Sequence, residues 1–404
     1  MRASVVLRNP LVGREVRYAL GMALVGSSGS LRGSALAVVE ALGAPGALPE
    51  GWSLAGSEAE QGFLVRFAGD GGGALEVHLE PRDEARPCFA STRAFNVYYA
   101  RWGRGDGALA PAEEALLGAV LRALRRVEGA LPLAPVEDTS ERVAVRELTV
   151  DRVLMTEAPR TYYVNPYAGC LLACTYCYAI GRTAFSRALE GARRVPWGRW
   201  LDVKVNAPEV LARELREHPP GSVRLSPIVT DPYQAVERRY RVTRGCLEAL
   251  DGSGFLTVLL TRSTRVLEDL PRLRAMDNVL VGMSVPTDDD QVRRAFEPRT
   301  EPIDARVRAL ALLREAGVRT FAVVHPMLPL DPEALAGRLG PHVEAVRLGP
   351  MSEKHRVEGT YARLGREEAL TPTWERDTAR RLTEALTRQG VLVDPTTPPW
   401  NTFR

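Results

Sequence analysis

Lysine is almost missing from this chain. Lys204 and Lys354 are the only two among 53 strongly basic residues in a sequence of 404, and all the others are arginine. Alanine, glycine, leucine and valine are abundant, so the imbalance reads as a compositional habit of the source. Arginine stretches such as Arg122-Ala123-Leu124-Arg125-Arg126 therefore say little about binding, and a position that stays lysine says more. A net charge of +3 is too small to argue for nucleic acid by itself. Cysteine is scarce as well. Five, unevenly placed, exclude a secreted disulfide scaffold. Long apolar runs are lacking too. The piece Tyr18 to Val25 is short, follows a charged segment and runs into Gly-Ser-Ser-Gly, so it is neither a signal peptide nor a membrane span. A cytoplasmic protein with reduced thiols is the expectation. Its 45% hydrophobic and 25% charged residues are typical of a soluble globular chain, long enough for one large α/β domain or two ordinary ones.

Three of the five cysteines crowd into one stretch, Cys170-Leu171-Leu172-Ala173-Cys174-Thr175-Tyr176-Cys177. That spacing is too tight for disulfides and one ligand short of a closed four-thiolate site. Iron–sulfur clusters are normally held by four cysteine thiolates. Three in a loop with no fourth nearby imply a cluster with one iron left open, and an open position is what separates catalytic from structural metal sites. A non-catalytic zinc or iron–sulfur site is the alternative from another class. It needs a fourth ligand, and the nearest histidine in sequence, His218, lies far outside the usual ligand spacing.

The pattern changes along the chain. Residues 1–140 read as an α+β accessory domain. Ser34 to Leu42 suggests a short helix. Gly62-Phe-Leu-Val-Arg-Phe-Ala and Ala74-Leu-Glu-Val-His-Leu-Glu, joined by Gly-Asp-Gly-Gly-Gly, give a hairpin signal. Pro111 opens a helix whose Leu116, Leu117, Val120, Leu121 and Leu124 follow the helical period. The aromatic stretch Phe95 to Trp102 fits strand or core packing better than a ligand groove, and Cys88, among charges, fits a bland surface or half-buried thiol. Pro132 to Glu141 reads as a linker. Residues 141–404 then alternate strand and helix signals to about residue 350. The strand signals lie at Arg160 to Pro166, Trp200 to Val205, Ser222 to Pro227, Phe255 to Thr261, Val279 to Val285, Arg319 to Pro326 and, as the last strand, Glu344 to Gly349. Helices are expected after Asn206 and over Thr243–Leu250, Val266–Met276, Asp290–Phe296, Asp304–Ala316 and Asp331–Leu339. Such βα repeats predict an α/β fold with a parallel sheet, open or rolled into a full or partial barrel.

In such folds ligands sit beyond the carboxyl ends of the strands. Polar residues gather there: Lys204 and Asn206, then Ser226 with Thr230 and Asp231, then Thr261-Arg262-Ser263, Ser284 and His325, with Arg299 in a Glu-Pro-Arg loop. Asn206, Asp304 and Asp331 are left as helix caps or solvated loop residues. The rest recur on the rim that carries the cysteine loop.

The C-x3-C-x2-C loop, with Tyr176 before its last cysteine, resembles the signature of the radical S-adenosylmethionine (SAM) superfamily. Asn165-Pro-Tyr-x-Gly-Cys170, Cys177-Tyr178-Ala, Lys204-Val-Asn, Thr230-Asp-Pro-Tyr-Gln, Leu260-Thr-Arg-Ser and Glu297-Pro-Arg resemble its spore-photoproduct-lyase-like branch. The resemblance covers roughly residues 155 to 335 and leaves the first domain out. It implies a partial (β/α) barrel core followed by a C-terminal extension. It also implies that Cys170, Cys174 and Cys177 hold one [4Fe–4S] cluster whose open iron chelates SAM. Reductive cleavage of SAM would then give a 5′-deoxyadenosyl radical that takes a hydrogen atom from the substrate. By position in the family pattern, Tyr176 would lie by the adenine, Lys204 would meet the SAM carboxylate, and Ser226 and Ser284 would bond the methionine or ribose end. Arg299 is a further candidate, and Asp231 either joins this set or locks its loop.

The implied partners are an external electron donor of flavodoxin or ferredoxin type and an unassigned substrate, a peptide or a natural-product intermediate. A nucleic acid, permitted by Arg238-Arg239-Tyr240-Arg241, is the alternative. No membrane is implied. Only Cys88 and Cys246 remain outside the loop, so a second four-thiolate cluster cannot be built. Photoproduct lyases return a hydrogen atom through a cysteine. Here Tyr178 directly follows the motif, and no further cysteine is close.

Overall fold

The computed structural model describes residues 4–9, 14–19, 38–58, 63–71, 73–81, 90–91, 95–102, 109–127, 143–180, 183, 195–225 and 229–393. Cys88, Ser226, residues 20–25 of the apolar piece, 34–37 of the first expected helix and 132–141 of the expected linker lie outside them. The chain divides into two compact units. One is Met1–Ser140 with Ala179–Val195, the other Glu141–Tyr178 with Pro196–Arg404.

In the first unit, β1 (Ser4–Asn9) and β2 (Arg14–Ala19) form an antiparallel pair. β3 (Trp52–Glu58), β4 (Phe63–Gly69), β5 (Ala74–Pro81), β6 (Ala90–Ser91) and β7 (Phe95–Trp102) form an antiparallel sheet in the order β3-β4-β5-β7-β6. The expected hairpin is β4–β5, closed where Gly69 N–H donates to the Gly73 carbonyl at 2.8 Å. Period-two alternation puts Val65, Phe67, Leu75, Val77, Leu79 and Val97 into one core. Onto it packs the helix Pro111–Val127 through Leu116, Leu117, Val120 and Leu124. Its proline sits where no N–H partner is required, and Glu113 reaches back to accept from Ala110 N–H at 2.8 Å. The stretch Phe95–Trp102 is a strand, as its β-branched and aromatic composition suggested.

The second unit contains β8 (Ala144–Leu148), β9 (Met155–Ala158), β10 (Thr161–Tyr163), β11 (Tyr167–Ala168), β12 (Trp200–Lys204), β13 (Ser222–Leu225), β14 (Leu256–Thr261), β15 (Val279–Ser284), β16 (Arg319–Val324), β17 (Ala345–Leu348) and β18 (Leu392–Val393). Its main sheet runs β18-β17-β16-β15-β14-β13-β10-β9, parallel throughout except for β9. Helices Val242–Leu250, Leu270–Ala275, Asp290–Phe296, Ile303–Glu315 and Pro332–Leu339 fill the crossovers. The end strands β18 and β9 do not pair with each other. The sheet is therefore open, a partial (β/α) barrel in an α/β fold.

Four expectations need correction. β12 is not in the main sheet: it pairs parallel with β8 and antiparallel with β11 in a small sheet of its own. The strand at Glu344 is not the last one, since β18 adds a parallel edge. With two residues, and Leu392 half exposed, β18 leaves no alternating pattern to read. The helix expected over 266–276 is a 3-10 segment, Thr264–Asp269, followed by the α-helix Leu270–Ala275. Pro271, which lacks an N–H, sits at the new start. Asn206 makes no cap. Its carboxamide instead brackets the Val150 peptide, accepting from N–H and donating to the carbonyl, each at 2.8 Å. Asp331 does cap its helix, accepting from Ala334 N–H at 2.9 Å.

Candidate active site around the cysteine loop

Register decides which residues share a face of the main sheet. Val258 and Leu260 of β14 stand level with Leu280 and Gly282 of β15, Gly282 with Phe321 of β16, and Phe321 with Ala345 of β17. A small apolar cluster of Val258, Leu280, Phe321, Val323 and Ala345 fills this face. The Phe321 ring lies so close over Gly282 that a Cβ there would come within 2.3 Å of it. Ser284 lies on the same face at the carboxyl end of β15. It is 1% exposed, and its hydroxyl meets no hydrogen-bond partner. Asn165, two residues past β10, is wholly buried with both ends of its carboxamide likewise unmatched. Buried polar groups are nearly always hydrogen-bonded, and each exception asks for an explanation.

The cysteine loop follows β11 and is held from both sides. Thr230 Oγ1 donates to the Gly169 carbonyl at 2.7 Å, and Gln234 Nε2 donates to Thr230 Oγ1 at 2.6 Å. The other end of that carboxamide accepts from Leu171 N–H at 2.5 Å. Farther along, Thr175 donates twice to the Phe296 carbonyl, from N–H at 2.9 Å and from Oγ1 at 3.2 Å. Gly169 has φ +85° and faces Trp200, so a Cβ there would come within 2.6 Å of the indole. Only glycine fits.

Cys170 and Cys174 are buried, Cys177 is partly exposed, and none is in a disulfide. Burial, with Asp231 and Cys177 adding, pushes the Cys170 thiol up to about 12. Burial, with Glu297 adding and Arg262 opposing, holds Cys174 well above the usual thiol range. Such thiols ionise readily only against a metal, whose charge inverts the local logic. Among the described residues no three His, Cys, Asp or Glu side chains are placed to hold a single metal ion.

Tyr176 is buried, and its hydroxyl donates to Glu297 Oε1 and accepts from Arg262 Nη2 at 3.3 Å. Arg262 Nε donates to the same carboxylate oxygen at 2.9 Å, and Arg306 Nη2 donates to the other at 2.5 Å. Arg306 also donates to the Ser284 carbonyl at 2.9 Å. A chain of bonds thus runs from the end of β15 to the cysteine loop. Burial alone would raise the Glu297 carboxyl, but Arg306 and Arg262 hold it down at about 2. In the sequence Arg262 stands on the polar rim, Glu297 only within a motif, and Arg306 carries no mark. In so arginine-rich a chain nothing distinguished it.

The remaining candidates separate. Asp231 accepts from Thr261 Oγ1 at 2.6 Å, Tyr233 N–H at 2.9 Å and Arg262 N–H at 2.8 Å, the bonding of a loop lock. Lys204, 1% exposed, ends β12 in the small sheet, and its charge acts on Cys246 in the helix Val242–Leu250. Arg299 donates to the Gly198 carbonyl, beside the loop: a Cβ on Gly198 would lie 2.4 Å from that of Ala173. Tyr176, Ser284 and the three cysteines belong to one connected region, which Arg299 adjoins. His325, at the end of β16, is partly buried. Burial, then Arg347 and Arg262, lowers its ring to about 4 and keeps it neutral.

Residues 164–337 match the family model of the Radical SAM superfamily. An uncharacterized protein of Methanocaldococcus jannaschii is 29% identical over 208 residues, 50% of this chain and 76% of that one. One of Mycobacterium tuberculosis is 33% identical over 178 residues, 42% of this chain, and the chain spans only 51% of its length. Among solved structures, a spore photoproduct lyase variant with bound AdoMet and dinucleoside spore photoproduct is similar over 62% of this chain and 81% of that one, with 18% identity and a TM-score of 0.44. SuiB of Streptococcus suis, bound to its precursor peptide SuiA, is similar over 74% and 58%, with 13% identity and a TM-score of 0.40. Residues 164–337 thus form a radical SAM domain, the kind of domain found in radical SAM enzymes.

Proposed function

We propose that Cys170, Cys174 and Cys177 hold a single [4Fe–4S] cluster, and that the protein abstracts a hydrogen atom from a peptide or natural-product intermediate. A radical SAM domain implies SAM, an iron–sulfur cluster and a reductant. The observation that carries the reading is the clamped loop: three thiols, none in a disulfide, on a stretch fixed by Thr230, Gln234 and Phe296. The protein fits the group in a second respect. The unmatched amide of Asn165 and hydroxyl of Ser284 are donors and acceptors that a polar cofactor would engage. Zinc would draw its ligands onto one point, whereas a cluster spreads its thiolates over separate irons.

When bound, the cluster and SAM supply an electron and the 5′-deoxyadenosyl radical; the protein supplies orientation and exclusion of competing reactions. In this reading Ser284 and Asn165 orient SAM from the sheet face. Lys204, Ser226 and Arg299 remain candidates for its carboxylate and ribose. Asp231 serves by holding Thr261 and Arg262 in place. Tyr176 is fixed through Glu297, which leaves its ring to flank the adenine. The reductant would be of flavodoxin or ferredoxin type, and the setting cytoplasmic. No helix among the described residues is long and apolar enough to cross a membrane.

Thymine-dimer repair is disfavoured, because Tyr178 directly follows the cysteine motif and no further cysteine is close in sequence; Cys246, in the helix Val242–Leu250, is wholly buried. Residues 1–140, which build a core of their own, would recognise the substrate or a partner. The test is anaerobic reconstitution followed by dithionite and SAM. We expect 5′-deoxyadenosine, and its absence from protein carrying an intact cluster would sink the reading.

A further inference from the structure

Two buried donors beside the cysteine loop have nothing to donate to: Trp197 Nε1 and the Tyr361 hydroxyl. Both side chains belong to the apolar cluster that encloses Cys170, Cys174 and Cys177. Each is one residue removed from the loop. Trp197 precedes Gly198, whose Cα packs against Ala173 so closely that a Cβ has no room. The Tyr361 ring meets Phe296 edge-on at 4.8 Å, and the Phe296 carbonyl is what holds Thr175. Ala173 and Thr175 flank Cys174 on its two sides.

A buried donor without an acceptor costs about 1–3 kcal/mol, so two at one place need a common explanation. A trapped water would itself need two to four polar partners. The side chains of their cluster neighbours Leu172, Val292, Leu328, Met351 and Val357 offer none. Tyr361 stays protonated, because burial and then Glu375 raise its pKa. A sulfur-rich anionic group seated on the three cysteines would supply the missing acceptors.

We propose that Trp197 Nε1–H and Tyr361 O–H donate hydrogen bonds to the sulfur atoms of the cluster and set its reduction potential. The proposal rests on the functional reading above. Hydrogen bonds to cluster sulfurs are among the levers that set such potentials. A donor aimed at sulfur stabilises the extra negative charge of the reduced state, so both residues should make the cluster easier to reduce. Tyr361 lies in the helix Lys354–Leu364, beyond the segment that matches the superfamily. The C-terminal extension would thereby be part of the redox centre. The two are positioning residues that act through the cluster and touch no substrate.

The test is a potentiometric titration, read by electron paramagnetic resonance, of the full-length, anaerobically reconstituted protein and its Trp197→Phe, Tyr361→Phe and double variants. Each substitution keeps an aromatic ring and removes one donor. Iron and acid-labile sulfide must equal the parent's, so that folding is controlled. We expect each variant to be harder to reduce, with the double variant's reduced-to-oxidised ratio about tenfold lower at a fixed poise, or about 59 mV for one electron. In the parent, the iron–sulfur stretches in resonance Raman spectra should shift on exchange into D2O, and less so in the variants. Unchanged potentials in variants with full clusters overturn the proposal. If Tyr361→Phe cannot hold a cluster, Trp197→Phe and the D2O shift decide. A parent that takes up no cluster overturns the functional reading, and this one with it.

Discussion

Replacing Glu297 by glutamine should unlock the region behind the cysteine loop. The carboxylate is fully buried and lies between two guanidiniums, Arg306 at 0% and Arg262 at 14% side-chain exposure. It also accepts the Tyr176 hydroxyl. A neutral amide cannot balance two buried cations, and breaking such a pair costs about 3–5 kcal/mol. The same magnitude follows from titration. The carboxyl sits near 2 against an ordinary 4.5, which amounts to about 3 kcal/mol. The sign is that of a depressed carboxylate: the stability is fully present above pH 4.5 and is lost as pH falls towards 2. Urea unfolding of the cluster-free protein, followed by circular dichroism at pH 7, should show a loss of this size in Glu297→Gln. Between pH 4.5 and 2 the parent should lose about this much more stability than the variant, since other depressed carboxylates such as Glu76 and Asp290 titrate in both. Replacing Arg306 by leucine as well should recover part of the loss, because one unbalanced charge goes with it. A deficit below about 1 kcal/mol at pH 7 would refute the account, since exposed pairs already reach that figure.

Gln234→Ala removes the acceptor of Leu171 N–H and the donor to Thr230, at about 1–3 kcal/mol for the N–H left unmatched. The iron-to-protein ratio after reconstitution should fall while the circular dichroism of the sheet stays; full iron retention would show that the clamp is idle. His325 has its ring lowered to about 4 by burial, Arg347 and Arg262, so the fold favours the neutral ring. That stability is present above about pH 6.5 and is lost as pH falls towards 4, by up to about 3 kcal/mol. His325→Gln should flatten this stretch of the stability profile, and a ring resonance titrating near 6.5 in the folded parent would contradict the assignment.

Much of the second unit could be read in the sequence because each βα unit carries its own signal. An apolar run, a polar end and a capping residue such as Asp331 are local facts. The cysteine loop was legible for the same reason, three thiols in one stretch. What escaped depends on partners distant in the chain. β12 reads like its neighbours, yet it pairs with β8 and β11, and no periodicity announces a strand's partner. Asn206 stands where caps stand, but an acceptor and a donor on Val150 occupy its amide. Arg306 was invisible among so many arginines until its burial against Glu297 set it apart. Asn165 appeared only as a letter in a motif. Its significance lies in two unmatched polar atoms, and only packing could reveal those.

The clamp on the cysteine loop bears on how the protein is made. The loop is held by Gln234, 63 residues downstream of Leu171, and by Phe296, 121 residues downstream of Thr175. A nascent chain that has exposed its three thiols still lacks the parts that shape them, and it acquires them only once residue 296 has left the ribosome. Delivery of the proposed cluster to this loop would thus come late, to a receptor that the fold has by then already formed.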